Sequence, residues 1–309
     1  MRCRPARQFL FAGSALLTLT LPLGCSTGGG GGGGADGPNG TPPTGDGATL
    51  GALGPDVPPT TDGSWYRPST DTTWQWQLQP NDQGRINTTY DVDLYDIDLF
   101  DVDQTVIADL QADGRRVICY FSAGTFEDFR DDAGAFDQAD LGNTLDDFAD
   151  ERWLDIRSAG VQAIMLDRLD LAVAKGCDGV EPDNVTGFEN DSGFDLTATD
   201  QLAFNRFIAN AAHQRGLSVG LKNDLEQIAQ LLDYFDFAVN EQCHEFDECE
   251  VYDALIGAAK PVFNAEYADR FVDEPAVRDA MCADARGQGL RTLVLPIDLD
   301  DAFRFSCEP

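Results

Sequence analysis

Histidine is almost missing from these 309 residues. Only His213 and His244 occur, so a catalytic zinc site built on several histidines is excluded. Basic residues are scarce too: 21 Lys and Arg stand against 54 Asp and Glu, a formal charge of −33. Binding to a nucleic-acid backbone needs clustered cations, and this chain does not supply them. The cysteines show no CxxC spacing, which argues against a metal cluster. No glycine-rich phosphate loop follows the first strand candidate, which argues against a Rossmann fold. The acid-rich run Asp91–Asp103 lacks the glycine and terminal glutamate of an EF-hand loop. Its alternation reads as a strand with an acidic outer face. Apolar material is not short: hydrophobics at 42% and aromatics at 10% suffice for a real core. The acidic surface solubilises the chain and would attract a cationic ligand.

Residues 1–24 read as a secretory signal, with Arg2, Arg4 and Arg7 ahead of the apolar stretch Phe9–Leu23. The run Leu21-Pro22-Leu23-Gly24-Cys25 resembles a bacterial lipobox, in which Cys25 is acylated and becomes the mature N-terminus; Pro22 stands where leucine is usual. A chain starting at Cys25 would carry 18 cations against 54 acids, a charge of −36. Seven glycines (Gly28–Gly34) and a Pro/Gly/Thr/Asp-rich stretch follow, so residues 25–63 read as a flexible tether. The expected product is an exported, membrane-anchored lipoprotein that touches the membrane through its lipid only. Six cysteines remain after Cys3 and Cys25 are set aside, an even count that suits disulfides in an oxidising compartment. Of 15 formal connectivities, Cys243–Cys249 and Cys282–Cys307 are favoured, which leaves Cys119–Cys177.

The body, residues 64–309, is close to the ~250 residues of a single (β/α)₈ TIM-type barrel. Eight short strand candidates alternate with amphipathic stretches: Thr73–Leu78, Leu94–Ile97, Arg116–Ser122, Gly179–Asp183, Ser218–Lys222, Phe237–Asn240, Pro261–Ala265 and Thr292–Pro296. Helical runs are expected at Gln104–Ala112, Leu145–Ala174, Thr199–Gln214, Leu225–Leu232 and Pro275–Gly287, with Thr199 and Asp224 as caps. Such alternation implies a parallel sheet.

Barrel chemistry is done at the C-terminal ends of the strands, and here those ends are unusually polar. They carry Trp76, Tyr120, Glu181, Asp183, Asn184, Lys222, Asn223, Glu241, Glu266 and Tyr267. Aromatic faces stack on sugar rings, amides and acids bind hydroxyls, and two carboxyls can cut a glycosidic bond. Glu181 and Asp183 are two apart, so one face of a strand carries both. Lys222 is placed to pair with one acid and hold it ionised while another stays protonated. His213 reads as structural and His244 as a cleft-rim residue.

The segments Arg115–Gly124, Gly176–Val185, Gly220–Asp224 and Val239–Cys243 resemble glycoside hydrolase family 114, the endo-α-1,4-polygalactosaminidases, in the same order and spacing from Trp74 to about Ile297. The resemblance implies a (β/α)₈ barrel and catalytic acids at Asp183 and Glu241, with no metal or cofactor. Trp76, Tyr120, Glu181, Asn184, Lys222, Asn223, Glu266 and Tyr267 then fall in the substrate cleft. Thr186 stands where the family motif often carries another aspartate. The implied partner is a cationic amino-sugar polymer met by a monomeric hydrolase. Two other readings stay open: a non-catalytic surface binder of such a polymer, and a hydrolase of another linkage. The sequence leaves open both the stereochemical outcome and which acid plays which role.

Overall fold

The computed structural model describes Gly54, residues 56–146 and residues 148–308. The signal segment, Cys25 and nearly all of the expected tether lie outside them.

Each of the eight expected strands forms. They are β1 (Trp74–Gln77), β2 (Leu94–Asp98), β3 (Arg116–Ser122), β7 (Gly179–Asp183), β8 (Ser218–Lys222), β9 (Phe237–Glu241), β10 (Val262–Glu266) and β11 (Arg291–Val294). All pair in parallel in chain order, and the two-residue β12 (Phe305–Ser306) adds antiparallel to β11. Alternation along the strands separates two apolar clusters. Tyr95, Ile97, Val117, Phe121, Val180 and Val219 face the helices. Trp74, Trp76, Leu94, Ile118, Tyr120, Phe237, Val239, Phe263 and Leu293 share the inner face. That inner cluster joins the first strand to the last, so the sheet is curled in the manner of a TIM barrel. At the seam, Trp74 Nε1 donates to the Arg291 carbonyl at 2.9 Å. The Leu78 and Gln79 amides both donate to the Leu299 carbonyl, at 3.0 and 3.1 Å.

The helices are α1 (Gln104–Ala112), α2 (Ala159–Lys175), α3 (Ala198–Gln214), the short α4 (Ile228–Leu231), α5 (Cys243–Phe246), α6 (Asp253–Gly257) and α7 (Asp269–Asp273), then α8 (Pro275–Gln288). Local chemistry sets the ends of the long ones. Ser158 caps α2, and Gly176 ends it with φ 88°. A capping box of Thr197 and Asp200, not Thr199, opens α3. Asp224 caps nothing: it is buried and accepts from Asn205 Nδ2 at 2.8 Å.

Two expectations are corrected. The run Leu145–Ala174 is helical only from Ala159. Before that, β6 (Phe148–Leu154) lies antiparallel between β4 (Thr125–Glu127) and β5 (Leu141–Leu145), a small sheet inserted after β3. The acids of β2 do not face solvent either. Asp96 and Asp98 are 1% and 2% exposed. Asp98 takes a two-pronged bond from Arg130 at 3.0 and 2.6 Å, and Glu127 pairs with the same guanidinium at 2.9 Å. Removing one partner of such a buried pair strands the other charge, at a cost of about 3–5 kcal/mol.

A strap runs beneath the barrel at the N-terminal ends of the strands. Tyr234 donates its hydroxyl to the Val57 carbonyl. Asn210 accepts from the Thr60 amide at 2.6 Å and donates to the Pro58 carbonyl at 3.0 Å. Trp65 stacks on His213 with ring centroids 4.0 Å apart, and both rings bond Asp236, at 3.0 and 2.9 Å. His213 is thus a structural residue. The disulfides are Cys119–Cys177, Cys243–Cys249 and Cys282–Cys307.

Candidate active site

Three neighbouring strands end in the same way. The last inward side chain of β7 is Asp183, of β8 Lys222 and of β9 Glu241, and each is followed by a residue in the left-handed region: Asn184 at φ 59°, Asn223 at 49° and Gln242 at 66°. A sharp turn after each strand leaves its final side chain aimed across the barrel mouth. Asparagine tolerates that conformation better than other side chains, which suits it to two of the three positions. Gly124 clears the space for the first turn, since a Cβ there would lie 1.7 Å from the Asn184 carbonyl oxygen.

Lys222 is the hub. Its ammonium lies 3.2 Å from Glu181 Oε1, 3.2 Å from Asp183 Oδ1 and 3.3 Å from Glu241 Oε2. It also sits over the Trp76 ring, 4.7 Å from the centroid. Burial works against its charge, but Asp183, Glu181 and Glu241 outweigh burial and push the ammonium well above its ordinary value. The lysine does not choose one acid, as the sequence suggested; it binds three.

Each upper carboxylate has further donors. Asp183 accepts from Tyr120 Oη at 2.9 Å and from the Asn184 amide at 2.7 Å. Glu241 accepts from Tyr267 Oη at 2.7 Å and from Asn223 Nδ2 at 3.4 Å. The Asn223 side-chain oxygen in turn accepts from the Glu241 amide at 3.0 Å, fixing the strand end. Because one nitrogen lies 3.2 and 3.3 Å from Asp183 Oδ1 and Glu241 Oε2, those oxygens are at most 6.5 Å apart. Two carboxyls so spaced across an open cleft are the equipment for glycosidic cleavage.

The sequence profile of glycoside-hydrolase family GH114 matches residues 55–308. The chain belongs to this family. Among solved structures, Aspergillus fumigatus Ega3 in complex with galactosamine is 42% identical, with a TM-score of 0.75 over 81% of this chain and 99% of that one. The glycoside hydrolase domain of PelA from Pseudomonas aeruginosa shares the fold at 15% identity, with a TM-score of 0.58 over 76% of this chain and 98% of that one. No curated protein sequence matches. The GH114 chain is a glycosidase.

Within the GH114 barrel, Trp76, Tyr120, Glu181, Asp183, Lys222 and Glu241 share the inward face, with Asn184, Asn223 and Tyr267 at the rim. Glu266 lies apart from them. It alternates with the inner Ala265, and its Oε1 accepts from the His244 amide at 2.8 Å, so it holds the loop after Glu241 from behind. His244 lies on that outer side as well, with Nδ1 3.7 Å from Asp284. Asp96 was missed. It lies on the inner face with Lys222 and Glu181 among its neighbours, and burial lifts its carboxyl to about 7. The signal was present, because Asp96 keeps period two with the inward Leu94.

Asp96, Asp224 and Glu266 are all raised to about 7, chiefly by burial. A carboxyl raised in the folded state binds its proton there while the unfolded chain has released it. Stability is therefore greatest at or below the unfolded values near 4 and falls as pH rises to about 7. The expected result is a melting temperature higher at about pH 5 than at about pH 8. Asp224→Asn, whose amide carries no charge and tolerates φ 48°, should flatten that slope. An unchanged slope in calorimetric scans of the variant would remove Asp224 from the account.

Proposed function

We propose that the protein cleaves α-1,4-linked galactosamine polymer as an endo-acting hydrolase, with Asp183 as nucleophile and Glu241 as general acid and then base. The separation of the two carboxyls carries the mechanistic part of this reading. The two oxygens that share Lys222 are at most 6.5 Å apart, which accommodates the ~5–5.5 Å separation of a retaining pair. Three donors meet each carboxylate, but those on Asp183 include its neighbour's backbone amide at 2.7 Å, which fixes it in place and suits the group that attacks as an anion. Glu241 has the longer reach toward the leaving oxygen.

The choice of sugar is supported by the galactosamine in the Ega3 structure and by the charge of the cleft. A groove of about 580 Å³ opens at the C-terminal ends of β1 and β11, lined in part by Asn81, Asn87 and three acids, Asp82, Asp300 and Asp301, against one cation, Arg85. Acids there attract free amines and offset their desolvation.

The test is incubation of the protein with deacetylated α-1,4-galactosamine polymer, with released oligomers followed by mass spectrometry and the first-formed anomer by NMR. Oligomers bearing the α anomer are expected. A β anomer would make the enzyme inverting, and intact polymer still bound to the protein would make it a binding module. Cleavage of neutral or acidic polymers in preference to this one would overturn the choice of sugar.

We propose further that the protein is exported, held at the membrane through lipid on Cys25, and monomeric. The lipobox-like run ending at Cys25 supports the anchor. Cys25→Ser should move the protein from the membrane fraction to the soluble one, and retention in the membrane would count against a lipid there.

A further inference from the structure

A packed barrel fills its interior with layers of side chains, each from alternate strands and dominated by branched apolar residues. Here the second and fourth parallel strands, the two that flank β3, place Asp96 and Glu181 there instead. Asp96 is 1% exposed and Glu181 fully buried. No N–H or O–H donor among the described residues hydrogen-bonds either oxygen of Asp96 or of Glu181, and each carboxyl is among the groups that act on the other. On its other side Glu181 has the ammonium of Lys222, 3.2 Å away. The titratable groups facing the pair are Tyr120, Asp183, Lys222, Glu241 and Tyr267.

Two carboxylates in contact and out of water cannot both ionise, and a hydrogen bond between carboxyls needs one proton. We propose that Asp96 is a positioning residue that shares a single proton with Glu181, and that this proton leaves the Lys222 ammonium free to hold Asp183 and Glu241. With the proton present, the pair carries only one negative charge, spread over two carboxyls, so Glu181 draws less on Lys222 than Asp183 and Glu241 do. Once the proton is lost, a second full charge lies beneath the ammonium. Glu181 then competes for Lys222 against the two groups that work on the sugar. Burial raises Glu181 well above its usual range, in agreement with a shared proton that survives to near-neutral pH.

The kinetic consequence rests on the hydrolase reading above: turnover should fall on the basic side as the pair ionises. Asp96→Asn keeps the shape and leaves one charge, but it cannot lose a proton. It is expected to move the basic limb of kcat up by about one pH unit or more while leaving the acid limb in place. A merely structural role would lower kcat at every pH. A basic limb that stays where it was would assign that limb to another group, such as Glu241, and overturn the proposal.

Infrared spectroscopy reads the proton without substrate or turnover. The wild-type protein should show a buried carboxylic-acid carbonyl band that titrates away near neutrality and is diminished in both Asp96→Asn and Glu181→Gln. The measurement is made in an Asp224→Asn, Glu266→Gln background, which removes the other two carboxyls raised to about 7, and the band is assigned by its loss in the Asp96 and Glu181 variants, since Glu127 and other raised acids remain. Absence of the band in the parent of that series, or its persistence in both variants, would overturn the shared proton whatever the sugar proves to be. If the band behaves as expected and the polymer is not cleaved, the fault lies with the substrate and not with the pair.

Discussion

Replacing Asp183 by asparagine is expected to abolish turnover, by roughly 10³-fold or more, while leaving the melting behaviour close to that of the parent. The side chain keeps its size, and the Asn184 amide and Tyr120 hydroxyl can still bond its carbonyl oxygen. An amide cannot attack the anomeric carbon, so the first bond never forms. Glu241→Gln should lose activity for a different reason, because the leaving oxygen finds no proton. Added azide separates the two roles. At Asp183→Ala, where the missing carboxyl leaves room and Glu241 can still protonate the leaving oxygen, it can enter from the nucleophile's side and give a glycosyl azide of inverted configuration. At Glu241→Gln, given an aryl glycoside whose aryloxide leaves without a proton, it intercepts the covalent intermediate and gives the retained azide. Azide products of the opposite assignment would exchange the roles, and a fully active Asp183→Asn would remove the residue from the chemistry.

Lys222→Met carries the second large effect, on stability as well as activity. Methionine fills the stem's volume against Trp76 but brings no charge, so Glu181 loses its ion-pair partner while fully buried and Asp183 and Glu241 lose the cation between them. Stranding charge in this way costs about 3–5 kcal/mol. The sign of the pH dependence follows. Without the ammonium, the buried acids hold their protons to higher pH in the folded state, so the deficit should shrink as pH falls toward about 5 and widen toward 8. Denaturant melts of parent and variant across that range check it. A deficit independent of pH would mean that lost packing, not unpaired charge, is the cause.

The strands were legible because barrel strands are buried on both faces, so short continuous apolar runs such as Val117–Phe121 and Phe237–Val239 stand out between helical stretches. The site was legible for a related reason: Lys222 and Glu241 end apolar runs, where a charge has no structural business unless it is used. Two failures have equally physical causes. Leu145, at the end of β5, and Phe148, Trp153 and Leu154 of β6 suit one face of a helix as well as they suit strands, and antiparallel pairing of β6 with β4 and β5 decides for the strands. In β2 the alternation was read correctly and its direction was not. Period two says which residues share a face but not which face is inside. Here Tyr95 and Ile97 go to the helices and the acids go to the barrel.

The strap beneath the barrel has a mechanical consequence. The described chain enters at the base, opposite the cleft, and from Val57 to Trp65 it is fastened through Asn210, His213, Tyr234 and Asp236, all of which belong to α3 or to the approach to β9. If the proposed anchor holds the N-terminus while the enzyme grips a polymer, tension from the anchored side reaches these fastenings before it reaches the sheet. They lie in series along the strap and are loaded one after another, so the strap peels before any strand is pulled. The same load crosses the strand ends that carry Asp183, Lys222 and Glu241, but there it is shared among parallel strands paired side by side, so the site keeps its geometry while the strap gives way.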